Sequence, residues 1–260
     1  MTTTAPRATL DGAALYIRYG YPPNELGACG PDDHRALFEY GVSGTVDGGL
    51  LGLASAFTGA WPYVRFIAEQ TGLGDPLDYR VVEAYWIGNE LLDRIDMSDF
   101  GRSLDDRFRH RSGPEWGRLA EGVPAGGVPN HAFHVFGIYP WVDLLGSDRG
   151  PHPLHVLDRC RIRWGEVVSV VGDQAVVESR PLLWSGRELH LGPPRAEVAR
   201  VAIDGRGFLA GLEPGDAVSL HWDWVCDRLT DRQLANLQRS TRHQLDLTNR
   251  RVGRPGDLLE

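Results

Sequence analysis

Cys160-Arg-Ile-Arg-Trp-Gly165-Glu-Val-Val-Ser-Val-Val-Gly172-Asp173-Gln-Ala175-Val-Val-Glu178 is where the periodicity of this chain changes. Two valine-rich runs of about six residues flank a Gly-Asp pair, the pattern of a β-hairpin. Beyond it, Trp184-Ser185-Gly186-Arg187 is a second turn signal, and β-rich pieces recur over residues 196–204 and 217–226 around the loop Leu212-Glu213-Pro214-Gly215-Asp216. Four or five short strands in about 70 residues predict a small closed barrel of the OB-like kind. Thr230 and Gln233 form a capping box for a C-terminal helix, in which Leu234, Leu237, Thr241, Leu245 and Thr248 share one face.

Ahead of residue 155 no strand alternation appears, and the first 150 residues read as all-α. Tyr21-Pro22-Pro23-Asn24 and Gly27-Ala28-Cys29-Gly30-Pro31 are breakers between short helical pieces, and Asp32-Asp33 caps a helix through Tyr40. Residues 50–70 are dense in apolar and small side chains, a closely packed helix that Pro62 either kinks or divides. Asp75-Pro76 opens another helix, with Val81, Val82, Tyr85, Trp86, Asn89 and Leu92 on one face. Residues 98–121 read as an arginine-rich amphipathic helix interrupted near Gly113-Pro114, and residues 122–129 as a loop. Asn130 caps a last helix carrying His131, Phe133, His134, Phe136 and Ile138. The expected fold class is therefore α+β. An all-α domain over residues 1–150 precedes a small OB-like β-barrel with a C-terminal helix over residues 151–260, and the break-rich stretch 146–153 links them.

Composition narrows the function classes. A net charge of −8 argues against a general nucleic-acid binder, which needs a basic face. All 27 basic residues are arginine, which reads as codon bias rather than function. Cys29, Cys160 and Cys226 are sparse and lack CxxC spacing, so neither a disulfide framework nor a structural zinc site is expected. The first ten residues lack the apolar run of a signal peptide, and no apolar stretch is long enough to span a bilayer. The expectation is a cytoplasmic protein with no membrane or nucleic-acid partner.

Residues from about 158 to 249 resemble the HypC/HupF family of [NiFe]-hydrogenase maturation chaperones. Cys160 and Gly165 keep the spacing of that family's opening cysteine and glycine, and Gly172, Asp173 and Ala175 keep its turn. In Pro214-Gly215-Asp216-Ala217-Val218-Ser219-Leu220-His221-Trp222-Asp223-Trp224-Val225, His221 falls on the family's histidine. The sequence departs from the family pattern at Trp164 and Asp223, and a whole helical module precedes Cys160. The resemblance implies an accessory protein, not a turnover enzyme, whose Cys160 and His221 hold iron carrying cyanide and carbon monoxide. The implied partners are the hydrogenase large-subunit precursor or the iron-ligand assembly scaffold. A thiolate and an imidazole are donors that suit such an iron.

The helical part offers further candidates. His131 and His134, at i and i+3, are placed to face one metal, with Glu83 and Glu90 as carboxylates from a facing helix. Cys29, in a turn near His34, is a candidate reactive thiol. These residues frame the alternative: an iron-dependent enzyme with its site in the helical domain, the barrel serving for recruitment. No phosphate loop or nucleophile elbow occurs. On strand alternation His221 and Cys226 lie on opposite faces, which makes Cys226 structural.

Overall fold

The computed structural model describes residues 7–112 and 126–252. The interruption expected near Gly113-Pro114, the start of the 122–129 loop and most of the tail beyond Arg251 lie outside the described residues. The first helices are α1 (Arg7–Glu25), α2 (His34–Ser43), α3 (Gly48–Ser55), α4 (Trp61–Gln70), α5 (Tyr79–Trp86) and α6 (Met97–Ser112). Helix α1 is the element the others wrap: Ala13, Leu15, Tyr16, Ile17, Tyr19 and Tyr21 are all buried, so apolar side chains leave it in every direction. Pro22 and Pro23 do not break it but lie inside its last turns. A proline there has no N–H to give the carbonyl four residues back. The carbonyls of Arg18 and Tyr19 therefore lack the usual bond from four residues on, and burial of the helix outweighs that loss.

Pro62 divides the 50–70 region, standing in the first turn of α4, while Asp47 caps α3. Helix α5 starts from Asp78 and stops at Trp86, short of the expected Leu92. Gly88 sets that stop: its φ is +94°, and a Cβ there would meet Ser240 Oγ at 2.6 Å. Asn130 caps α7 (His131–Phe133) by accepting from Phe133 N–H, and α7 runs on as a π-helical turn, His134–Ile138. Turns over residues 140–151 contain the expected domain boundary and lead into α8 (His152–Cys160).

Strands β1 (Arg163–Val171), β2 (Gln174–Ser179), β5 (Arg195–Arg200), β7 (Trp224–Arg228) and β6 (Ala217–His221) close a barrel in that order. Neighbours are antiparallel except β5 and β7. This is the expected small barrel, and the Gly172–Asp173 turn joins β1 to β2 as read. The hairpin β3 (Leu182–Trp184) and β4 (Leu189–Leu191) stands apart from it. Gly165 sits opposite Ser179 on one side and Val218 on the other, and a Cβ there would run into the Glu178 carbonyl oxygen at 2.5 Å. The motif glycine is thus a close-approach position of the barrel wall.

Residues 217–226 are not one strand. Trp222 and Asp223 form a tight turn between β6 and β7, with Trp222 at φ +50°, so His221 pairs with Trp224. The alternation argument that set His221 and Cys226 on opposite faces fails across this turn. No glycine marks it; tertiary bonds hold it instead. Trp222 N–H donates to the Arg159 carbonyl at 2.8 Å, and the Trp222 carbonyl accepts from Arg163 at 2.7 Å.

One apolar core crosses residue 150, joining Tyr16, Tyr19, Trp86 and Phe100 to Ile162, Trp224, Cys226 and Leu237. A second fills the barrel with Val167, Val177, Val218 and Leu220. A third packs Val135, Phe136, Leu157, Leu182 and Leu189 against Leu245 of α9 (Asp231–Val252). The capping box forms as expected: Thr230 N–H donates to Gln233 Oε1, and Gln233 N–H donates to Thr230 Oγ1. Among the described residues no helix is long and apolar enough to cross a membrane.

The guanidinium of Arg163 is 1% exposed and ties these parts together. It donates to the carbonyls of Asp158 and Arg159 in α8, to the Trp222 carbonyl, and to both oxygens of Glu197 on β5. Burial raises the Glu197 carboxyl, but the Arg163 and Arg159 charges and the Ser179 hydroxyl outweigh that and leave it below the usual range. Arg163→Met should therefore cost about 3–5 kcal/mol of unfolding free energy in urea, since Glu197 keeps only Arg159 of its two arginines and three carbonyls lose a donor. Gly165→Ala should cost about 1–3 kcal/mol by overpacking the barrel wall, read as a lower urea midpoint with unchanged slope.

Candidate metal centre

The end of α8, the start of α7 and the end of β6 bring three donors together. The ligand atoms of His131, Cys160 and His221 all lie within 4.8 Å of one another. Donors around one tetrahedral ion, bonded at about 2.0–2.3 Å, stand roughly 3.5 Å apart. One ion held by all three would have to draw them closer than that 4.8 Å limit. The two imidazoles are buried and Cys160 is partly exposed.

The surrounding bonds define which nitrogens are available. His221 Nδ1–H donates to the Tyr19 carbonyl at 2.7 Å. That carbonyl is one of the two left without the usual helical bond by the α1 prolines, because Pro23 has no N–H to offer it. His221 Nε2 thus keeps its lone pair, and it is buried with no hydrogen-bond partner. An orphaned buried acceptor is costly unless something occupies it. His131 Nε2–H donates to the Cys160 carbonyl at 2.8 Å, leaving Nδ1 as acceptor, 3.3 Å from the Tyr85 hydroxyl. A backbone carbonyl on the remote N–H is the arrangement that orients metal-binding imidazoles. Trp86 backs both rings, 4.7 Å from His131 and 5.7 Å from His221 between centroids.

Burial governs the charges. It lowers His131 to about 4 and His221 well below the usual histidine value, so both are neutral at pH 7. Burial pushes the Cys160 thiol up, and raises Cys29 to about 12. Without a cation the thiols are protonated; a cation would displace those protons.

A cavity of about 30 Å³ opens among these groups, room for one water molecule or one ion. Its wall includes Cys29, His134, Tyr85 and Tyr139 beside the three donors. Residues read separately from the sequence therefore share one site: Cys160 and His221 from the barrel side, His131, His134 and Cys29 from the helical side. His134 packs edge-on to Tyr139 and Tyr63, and Gly59 lets its Nε2 approach the backbone.

Glu83, Glu90 and His34 do not join them. Glu83 is buried in a pair with Arg232 at 2.8 Å and also accepts from Asn89 and Gln233, so it anchors α9. Glu90 lies beyond the end of α5, exposed, 3.4 Å from the same arginine. His34 is exposed in the first turn of α2. Sequence reading missed Tyr85 as a partner of His131, Arg163 as the clamp and Tyr19 as the carbonyl behind His221. The double proline was the available signal for the last.

No curated protein and no solved structure matches this chain. A family model described only as a family of unknown function, DUF6390, matches residues 8–255, and the chain belongs to that family.

Proposed function

We propose that this chain is a metal-handling accessory protein of [NiFe]-hydrogenase maturation, which holds iron, bare or carrying its diatomic ligands, at Cys160, His221 and His131. The observation that supports this most is the buried, unpartnered Nε2 of His221, set among the Cys160 thiol and a second oriented imidazole. The two positions singled out by resemblance are neighbours in space, and the helical part adds a ligand of its own. Iron bound there would be the cargo, and thiolate and imidazole donors suit it. The chain's residues would hold two neutral imidazoles in fixed tautomers and give up the thiol proton of Cys160. The partners in this reading are the hydrogenase large-subunit precursor or the iron-ligand assembly scaffold.

Protein co-expressed with its maturation partners and purified without oxygen should contain iron and show infrared bands of metal-bound cyanide and carbon monoxide. Cys160→Ala and His221→Gln should each lose the iron, and Glu90→Gln should keep it. Iron without such bands that persists in Cys160→Ala would favour the metal-dependent enzyme instead, and neither iron nor bands would end the carrier reading.

The metal-free protein should lose stability in mild acid. Unfolded histidines titrate near 6.5, whereas His131 titrates at about 4 when folded. Between those values the unfolded chain binds more protons, so the stability is present above about pH 6.5 and is lost as pH falls toward 4. Unfolding free energy from urea titrations should fall between pH 7 and pH 4.5, and less steeply in His131→Asn.

A further inference from the structure

The proposed three-donor site has a charge deficit. Two neutral imidazoles and one thiolate leave a bare divalent ion with one uncompensated positive charge. Among the described residues, no carboxylate lines the cavity. An unpaired charge held among Tyr85, Trp86, Phe57 and Ala60 is costly, because the wall offers little to replace hydration. The wall holds one other thiol, Cys29.

We propose that Cys29 is the fourth ligand of a bare divalent ion, completing a neutral, tetrahedral site of two thiolates and two imidazoles. This rests on the reading that His131, Cys160 and His221 hold a metal, and it extends that reading to the helical half. The set of two sulfurs and two nitrogens is one that zinc, cobalt(II) and iron(II) accept in tetrahedral geometry. On binding, two S–H bonds break, two metal–sulfur bonds form and two protons leave to solvent, with no change of oxidation state.

The local structure fits that role. Cys29 stands in the turn between α1 and α2, and that turn is held from behind: Asn24 Nδ2 donates to the Cys29 carbonyl at 3.0 Å and the Pro31 carbonyl at 2.6 Å. Gly30, at φ +90°, lies so close to Phe57 that a Cβ there would meet the ring. The backbone is anchored, and the Cys29 sulfur, outside the 4.8 Å cluster of the other three donors, would have to turn inward to complete the site. Cys29 and Cys160 line the same small cavity, so the two residues border one space. Cys29 and Cys160 are partly exposed as residues, whereas His131 and His221 are buried. His134 lines the same wall, but an imidazole ligand brings no negative charge and would leave the charge deficit in place.

The test is anaerobic titration of the full chain with cobalt(II), following the thiolate-to-cobalt charge-transfer absorption per bound ion. The wild type should show tetrahedral ligand-field bands and about twice the charge-transfer intensity of Cys29→Ser, with at least about tenfold tighter binding. His134→Asn should keep the wild-type intensity. Equal intensity and affinity in wild type and Cys29→Ser, with binding lost in Cys160→Ser, would overturn the fourth ligand and leave the three-donor site standing. A wild type that binds no cobalt would remove both. Should Cys29→Ser fail to fold, peptide-resolved alkylation of the wild type decides the question. Zinc should protect Cys29 and Cys160 at the same ion concentration, and protection of Cys160 alone would overturn the proposal.

Discussion

The buried guanidinium of Arg163 is the constraint on which the site depends. Its five donors reach the last turn of α8, the β6–β7 turn and Glu197 on β5. Cys160 is at the end of the first of these and His221 at the edge of the second. One planar fork with fixed geometry thus determines how far the thiol stands from the imidazole. A buried charge of this kind contributes little net stability, because desolvation opposes the pairing. What it provides here is position, since Asp158, Arg159 and Trp222 each give up a carbonyl to it.

The second constraint runs through α1. Its apolar girth encloses it in the core, and Arg18, Glu25 and Tyr19 connect it to the barrel: Arg18 to Asp227 at 2.8 Å, Glu25 to Arg200 at 2.8 Å and to the Trp224 indole at 3.0 Å. Two prolines in its last turns remove backbone donors, and a carbonyl so released holds His221 in one tautomer. The helix defect and the ligand tautomer are the same feature. The orphaned Nε2 that results is the group that most asks for an occupant.

Much of this architecture was legible in the sequence. The Gly172-Asp173 hairpin, the Asn130 cap, the Thr230–Gln233 capping box and the all-α first half are local features, each set by turn chemistry or periodicity within a few residues. Three local readings failed for tertiary reasons. Pro22-Pro23 read as a helix end because propensity ignores burial. Helical spacing extends α5 to Leu92, whereas Gly88 turns the chain against Ser240 on another helix and ends it at Trp86. The stretch 217–226 reads as one strand because the Trp222–Asp223 turn is held by Arg159 and Arg163 and contains neither glycine nor proline.

The candidate site divides in the same way. Residue type and spacing singled out Cys160, His221, His131, His134 and Cys29 as chemistry-bearing, and also Glu83, Glu90 and His34, which serve an ion pair or face solvent. The sequence by itself determined the barrel, its helix and the set of residues able to bind metal, because those follow from short-range pattern and side-chain chemistry. Only the tertiary structure decided that donors from both halves meet at one cavity while the carboxylates do not. Contact across such sequence distances is set by the shared core and by Arg163, and periodicity carries no record of either.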